Sequence, residues 1–387
     1  MNLKDRIGRR QTATQTDRLV RDRTAQSPVV HLAEPVDRGP VLERVLDALT
    51  PVFTGSLPPD VAVAGPKGVG KSALVSALFT HLDRQVGRSG TAIGTTTRAE
   101  TVGVGALRFV YVDARPATSE FQFYHAVLDA LEDGNVPERG VSTDALRETV
   151  RDRLRGPNRA TVVAVDHLDA LPADADWTWE VFEPVRDAVS LLVVSRSVPA
   201  DWAGETVAVE SYHHHALADV LTARASRGLR SQALEHAQTR RVAEWADGDA
   251  HDALAALYAA AELAEDDGAN RIRDRDIEAA IDAVPSGGVH LGRVLALPEN
   301  RQAILAALLA LDDERPTIKD AASAIADREP ALSSGTITRF LYELADDGVL
   351  ERVRTTADGG SGRQPSYVVP RFPTIAFRRL RRRATEQ

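Results

Sequence analysis

Eight consecutive residues, Gly65-Pro66-Lys67-Gly68-Val69-Gly70-Lys71-Ser72, have the spacing G-x-x-x-x-G-K-S/T, followed by Ala73. The types explain the spacing. Glycines let the backbone curl until successive N–H groups point inward as a nest for phosphate oxygens. A helix starting directly afterwards adds the positive end of its dipole. The Lys71 ammonium can reach β- and γ-phosphates, and the Ser72 hydroxyl suits Mg²⁺. Lysine is rare here, present only as Lys4, Lys67, Lys71 and Lys319, so its place in this slot is not incidental. ATP or ADP with Mg²⁺ is therefore the expected ligand.

A second acidic position supports this. The run 160–166, Ala-Thr-Val-Val-Ala-Val-Asp, is a short apolar strand ending in Asp166, which can deliver a carboxylate to the cation. His167 follows where a carboxylate would orient an attacking water, and Asp169 lies two residues on. An imidazole can act as a base, but its charge and reach differ from those of glutamate. The strand 189–195 ends in Ser195, next to Arg196, and that hydroxyl is a candidate for γ-phosphate or water. A solvent-facing strand end explains Ser195 equally well. Tyr212-His213-His214-His215 resembles a metal tract only in composition and reads as a loop or helix start.

The elements needed to hold these groups are legible around them. Apolar strands over 61–64, 106–113, 160–166 and 189–195 alternate with helices over 37–49, 73–79, 120–131 and 143–154, which predicts a doubly wound parallel α/β core. Asp37 is the expected cap of the first helix. Helices over 215–227, 231–245, 250–265 and 274–284 follow without strands, then a Pro-Ser-Gly-Gly linker at 285–288. Three further helices, 300–311, 317–326 and 335–346, precede a hairpin around a Gly-rich turn, the order of a winged helix-turn-helix. Ser334, Thr336, Thr338 and Arg339 on its third helix suit phosphate or base-edge contact with double-stranded DNA, and Arg354, Arg363 and Gln364 on the hairpin suit a neighbouring groove. Winged modules also mediate protein contacts; the local charge favours DNA.

With 387 residues, 43% of them hydrophobic, the chain can build several cores. It contains no cysteine, which excludes disulfides and thiolate metal sites. No signal-like or membrane-spanning stretch stands out, so a cytoplasmic location is expected, with no membrane partner. The net charge of −9, with arginine supplying nearly all positive charge, fits a salty cytoplasm, although a G+C-rich genome favours arginine as well. Basic residues gather at both ends. Residues 1–30 are expected to be a disordered arm, and residues 371–387 a basic tail adding sequence-blind DNA affinity, with the third helix and wing carrying more of the binding at high salt.

The order of parts resembles AAA+ ATPases of the archaeal replication-initiator family, related to the origin-recognition complex. The stretches that carry the resemblance are 37–49, the phosphate loop, 162–171 and the Gly248-Asp249-Ala250-His251 segment with its following helix. The resemblance implies an AAA+ core over 31–211, an α-helical lid over 212–288 and a winged-helix domain over 289–370. It implies an initiator-like protein whose nucleotide state controls DNA binding, with other initiator subunits or a helicase as partners. The chain departs from the family at three positions. His251 stands where the family has an arginine touching γ-phosphate, His167 where it has the second acid, and Ser195 where it has asparagine. The departures imply nucleotide binding with weak or absent hydrolysis. The alternative is a regulatory P-loop ATPase with a winged-helix effector, acting in transcription or defence.

Overall fold

The computed structural model describes residues 18–85, 107–132, 136, 140–156, 160–172, 175–311, 316–328, 331–354 and 366–386. They form two compact units, one of residues 31–219 with 248–250, the other of residues up to 30 with 220–247 and 251 onward.

The first unit is built on a five-stranded sheet of β1 (Val61–Ala64), β2 (Arg108–Asp113), β3 (Thr161–Asp166), β4 (Val189–Ser195) and β5 (Glu205–Ala208), ordered β2-β3-β4-β1-β5. Every pairing is parallel. β1, β3 and β4 are buried along their whole length, which is why they read as continuous apolar runs without alternation. The pleat sorts their side chains into two cores. Val162 and Ala164 of β3 join Leu74, Val75 and Leu78 of the helix after the phosphate loop, whereas Val163 and Val165 face Phe123, Val127, Leu146 and Val150. The flanking helices are α1 (Gly39–Ala48), α2 (Lys71–Gln85), α3 (Glu120–Glu132) and α4 (Thr143–Leu154). β5 was not expected. It is an edge strand with only Val207 buried, so its sequence lacks the apolar run that marks the others.

Two local expectations are corrected. The residue before α1 is Arg38, which makes no side-chain cap, and Asp37 adopts a left-handed φ of 54°. The helix expected from residue 231 begins at His236, where the Gln238 side chain accepts the Glu235 N–H at 3.1 Å.

The second unit contains most of α5 (His214–Gly228) and all of α6 (His236–Trp245), most of α7 (Ala250–Asp266), and α8 (Asp274–Asp282) and α9 (Leu291–Leu295). After them come α10 (Glu299–Leu308), α11 (Ile318–Arg328), α12 (Ser334–Asp346), an antiparallel hairpin of β6 (Leu350–Arg354) and β7 (Ser366–Pro370), and α13 (Thr374–Glu386). Ile304, Leu305, Ile325, Ile337, Leu341 and Leu344 fill the core of the three-helix-and-hairpin module.

Both basic ends differ from expectation where they are described. Residues 18–30 are ordered: Leu19 and Val20 are buried, the Arg230 N–H donates to Leu19 O at 2.8 Å, and buried Arg224 donates to Ala25 O at 2.8 Å and Val30 O at 2.5 Å. The tail is helix α13, seated by Phe372, Ala376 and Phe377. Three of its arginines find named partners inside the protein. Arg383 bonds Glu262 and Tyr258 Oη, Arg379 bonds Asp266, and Arg378 bonds the Leu309 carbonyl. An amphipathic helix whose polar face meets carboxylates of α7 is not a loose tail. Among the described residues no helix is long and apolar enough to cross a membrane.

Candidate nucleotide site

β1 is flanked by β4 and β5, so the loop leaving its end at Ala64 emerges between two other strand ends. This is the position where parallel α/β sheets place ligands. Gly68 and Gly70 take left-handed φ values of 73° and 81°, which turn the backbone into the curl that the motif needs. Gly65 is required for a different reason: a Cβ there would sit 2.1 Å from the Val209 carbonyl oxygen. The loop is held from outside by Gly65 N–H to Ser195 O (3.3 Å), Ala250 N–H to Gly68 O (3.0 Å), Arg38 Nε to Val69 O (3.0 Å) and the Lys67–Asp249 pair (3.1 Å). Arg38 itself is buried, with its guanidinium stacked 3.5 Å from the Tyr212 ring centre.

Lys71 opens α2 with its ammonium folded back over the loop, donating to Gly65 O at 2.6 Å and Pro66 O at 2.7 Å. Burial lowers its pKa, and Asp169 and Asp166 oppose that shift. A buried ammonium that donates to main-chain carbonyls, with carboxylates near it, is primed to exchange those carbonyls for an anion.

The pleat explains what meets it. Asp166 shares the face of Val162 and Ala164, the face on which α2 packs. Its carboxylate is fully buried. Oδ1 accepts the His167 N–H at 2.7 Å, and Oδ2 accepts Tyr111 Oη–H from β2. Burial, then the nearby Asp166 charge, push the Tyr111 pKa upward, so the phenol stays a donor. Ser72 Oγ lies 3.4 Å from His167 Nε2, and that nitrogen lies 3.7 Å from Asp166 Oδ2. Thus Lys71, Ser72, Asp166 and His167 come together. Tyr111 was not singled out by sequence, because only the β2–β3 pairing, which sets Tyr111 beside Ala164 and Asp113 beside Asp166, reveals it. Asp113 is itself tied to Arg115 by Nε contacts at 2.9 Å. Burial of Asp113 acts upward, and the hydrogen bonds and charge of Arg115 outweigh it, leaving the carboxyl pKa below its usual value.

The remaining candidates are engaged elsewhere. Ser195 is buried and donates its hydroxyl proton to Ser197 O at 2.6 Å, so it does not offer that proton to a phosphate. Asp169 accepts the Arg196 N–H at 2.9 Å and lies 3.3 Å from Arg196 Nε, which binds it to the end of β4. His251 departs most from expectation. Its Nε2 accepts the Leu291 N–H at 2.8 Å, its Nδ1 contacts Asp252 at 2.7 Å, and its ring lies 4.0 Å from that of His290. Accepting at Nε2 fixes the proton on Nδ1. Buried with both nitrogens used, His251 is a structural residue here and not a phosphate donor.

On α12, Ser334 and Arg339 are exposed and Thr336 and Thr338 half-exposed. The Ser333 hydroxyl accepts the Thr336 N–H at 3.2 Å as the helix cap, and Thr338 Oγ donates to Ser334 O at 2.8 Å. Glu343 pairs with Arg301 at 2.6 Å and approaches Arg339 at 3.7 Å, tempering the positive charge of this face. Arg354 is exposed at the end of β6, while Arg363 and Gln364 lie outside the described residues.

A triphosphate and its dication fit this donor set. The curled loop supplies main-chain donors, Lys71 a positive charge, and Ser72, Asp166 and His167 an oxygen, a carboxylate and a nitrogen in mutual reach. Residues 34–179 match the AAA ATPase domain, and residues 218–282 match the Cdc6 AAA+ ATPase-type lid domain. An ORC1-type DNA replication protein 3 from Haloarcula marismortui is 24% identical over 276 residues, covering 66% of this chain and 68% of its own. An ORC1-type DNA replication protein 6 from Halobacterium salinarum is 23% identical over 286 residues, covering 68% and 71%. The Aeropyrum pernix ORC1 protein, solved in complex with DNA, superposes with a TM-score of 0.63 at 20% identity, covering 93% of this chain and 96% of its own. These likenesses are of fold and of family.

Proposed function

Because the chain belongs to the ORC/Cdc6-type AAA+ ATPases, we propose that it is an initiator-like protein. In this reading it binds ATP and duplex DNA, lets nucleotide state govern the winged-helix module, and turns nucleotide over slowly if at all. The observation that carries the nucleotide part is the convergence of Lys71, Ser72 and Asp166 at the end of the buried sheet. On binding, Lys71 exchanges the Gly65 and Pro66 carbonyls for β- and γ-phosphate oxygens, loop N–H groups cradle the phosphates, and Ser72 and Asp166 hold the cation that neutralises their charge. Slow turnover follows from what surrounds this cradle. His167 replaces the carboxylate that would orient water, and Asp169 is committed to Arg196. The structural neighbour from Aeropyrum pernix, an ORC1 protein, was solved in complex with DNA, and the accessible hydroxyls of Ser334, Thr336 and Thr338 with Arg339 and Arg354 make duplex DNA the fitting ligand of α12 and the hairpin. Relatives from two halophilic genera agree with the acidic, arginine-based composition.

The test is equilibrium binding of a fluorescent ATP analogue to the wild type and to Lys71→Ala, with DNA affinity measured beside it in the presence of ATP, of ADP and of neither. We expect no measurable nucleotide binding by Lys71→Ala and a nucleotide-dependent DNA affinity in the wild type only. Retained nucleotide affinity in the variant refutes the site, and DNA affinity indifferent to nucleotide refutes the coupling.

A further inference from the structure

We infer that the dication taken with nucleotide here is a first-row transition metal bound directly by His167 Nε2, and not a magnesium ion held by oxygens alone. The inference rests on the nucleotide site proposed above and adds a ligand to it.

Geometry comes first. The His167 Nε2 atom is 3.4 Å from Ser72 Oγ and 3.7 Å from Asp166 Oδ2. Two donors bound to one ion at about 2.1 Å lie about 3.0 Å apart in octahedral and about 3.4 Å apart in tetrahedral geometry. The His167–Ser72 separation thus matches a tetrahedral pair and the His167–Asp166 separation exceeds it by about 0.3 Å, so His167 stands close to sharing one cation with each of the other two donors. The backbone that carries the ring is tied down. His167 holds a left-handed φ of 60°, an uncommon conformation that local hydrogen bonds fix here. Those bonds are its own N–H on Asp166 Oδ1 at 2.7 Å and its carbonyl on the Ala170 N–H at 2.8 Å. The ring is largely covered, with its side chain 17% exposed.

Chemistry then selects the ion. Magnesium takes oxygen donors in a strict octahedron and keeps its waters, whereas imidazole is a ligand of first-row transition metals, with Mn²⁺ the weakest binder and so the most stringent probe of the series. A glutamate in this position would leave an all-oxygen set suited to magnesium. Histidine converts the set to nitrogen, carboxylate and hydroxyl. The residue that removes the water-orienting acid thus adds a metal ligand in the same place.

The test uses the full-length protein loaded with ADP and Mn²⁺ as the probe ion, with His167→Asn and His167→Glu beside it. Asparagine tolerates the left-handed backbone but cannot reach the cation. Pulsed electron paramagnetic resonance reads the ¹⁴N coupling of a directly bound nitrogen, and competition reads the preference for Mn²⁺ over Mg²⁺. We expect the coupling in the wild type and its loss in both variants. The Mn²⁺ preference should fall roughly tenfold or more in His167→Asn, the scale that even outer-shell partners of a metal command. Wild-type Mn²⁺–ADP complex without ¹⁴N coupling, or coupling unchanged in the variants, overturns the inference and leaves the nucleotide site standing. If ADP fails to bind with either ion or with chelator, the nucleotide site falls and the inference falls with it.

Discussion

Replacing Glu262 with glutamine probes how the two ends of the chain are fastened. Glu262 is 2% exposed in the middle of α7. Its Oε2 bonds Arg383 of α13, which also donates to Tyr258 Oη at 2.8 Å, while Oε1 lies 3.7 Å from Arg23 Nε, beyond hydrogen-bond range. The carboxylate charge is lost while the amide oxygen can still accept from Arg383, so a charged hydrogen bond worth about 1.5–3 kcal/mol is weakened. Removing one partner of a buried pair costs about 3–5 kcal/mol when the other charge is stranded. Here Arg383 and Arg23 are 27% and 35% exposed and recover water, so the lower range applies. We take about 2 kcal/mol, or roughly 4–8 °C in the melting of a unit of roughly 150–250 residues. The assay is a double-mutant cycle of Glu262→Gln with Arg383→Met, followed by chemical denaturation. Coupling of about 1–2 kcal/mol that persists into molar KCl is expected, because salt screens a buried carboxylate poorly. Coupling below about 0.5 kcal/mol, the noise of additivity, would show that α13 is held by Phe372 and Phe377 alone and would restore the free basic tail.

Three further outcomes are expected. Nucleotide affinity should decline as pH rises toward alkaline values: bound phosphates raise the Lys71 pKa above its burial-lowered value in the free protein, so affinity is full below that free-protein pKa and is lost as pH climbs through it, earlier than the ordinary lysine value of 10.5. Calorimetric titrations from neutral to alkaline pH that give a constant affinity would contradict this. Gly65→Ala should abolish nucleotide binding and destabilise by about 1–3 kcal/mol, since the new methyl meets the Val209 carbonyl, while Gly39→Ala, with nothing within 4 Å, should be neutral in both; equal behaviour of the two would sink the steric argument. Ser333→Ala should cost about 1 kcal/mol and speed hydrogen exchange at the Thr336 amide, its capping partner. An unchanged exchange rate there would mean that the cap is not used.

What could be read from the chain depended on whether the signal was local. β3 and β4 announced themselves because strands buried on both faces must be apolar throughout, and the phosphate loop because its glycines and lysine have fixed offsets. Partnership was hidden. Tyr111 acquires its role only when β2 pairs with β3, and β5 carries a single buried side chain. His251 was legible as a departure, yet its bond to the Leu291 N–H joins residues forty positions apart. The arginines of α13 looked like a solvated run because Glu262 and Asp266, which neutralise two of them, lie more than a hundred residues earlier.

The place of β1 in the sheet has a consequence for biosynthesis. Val61 aligns with Leu192 on one side and Glu205 on the other, so its neighbours are translated some 130 and 144 residues later. A growing chain leaving the ribosome N-terminus first carries the whole glycine-rich signature long before either wall of its slot exists. Until Ala208 has emerged, that segment is an apolar strand without its sheet neighbours and in need of protection.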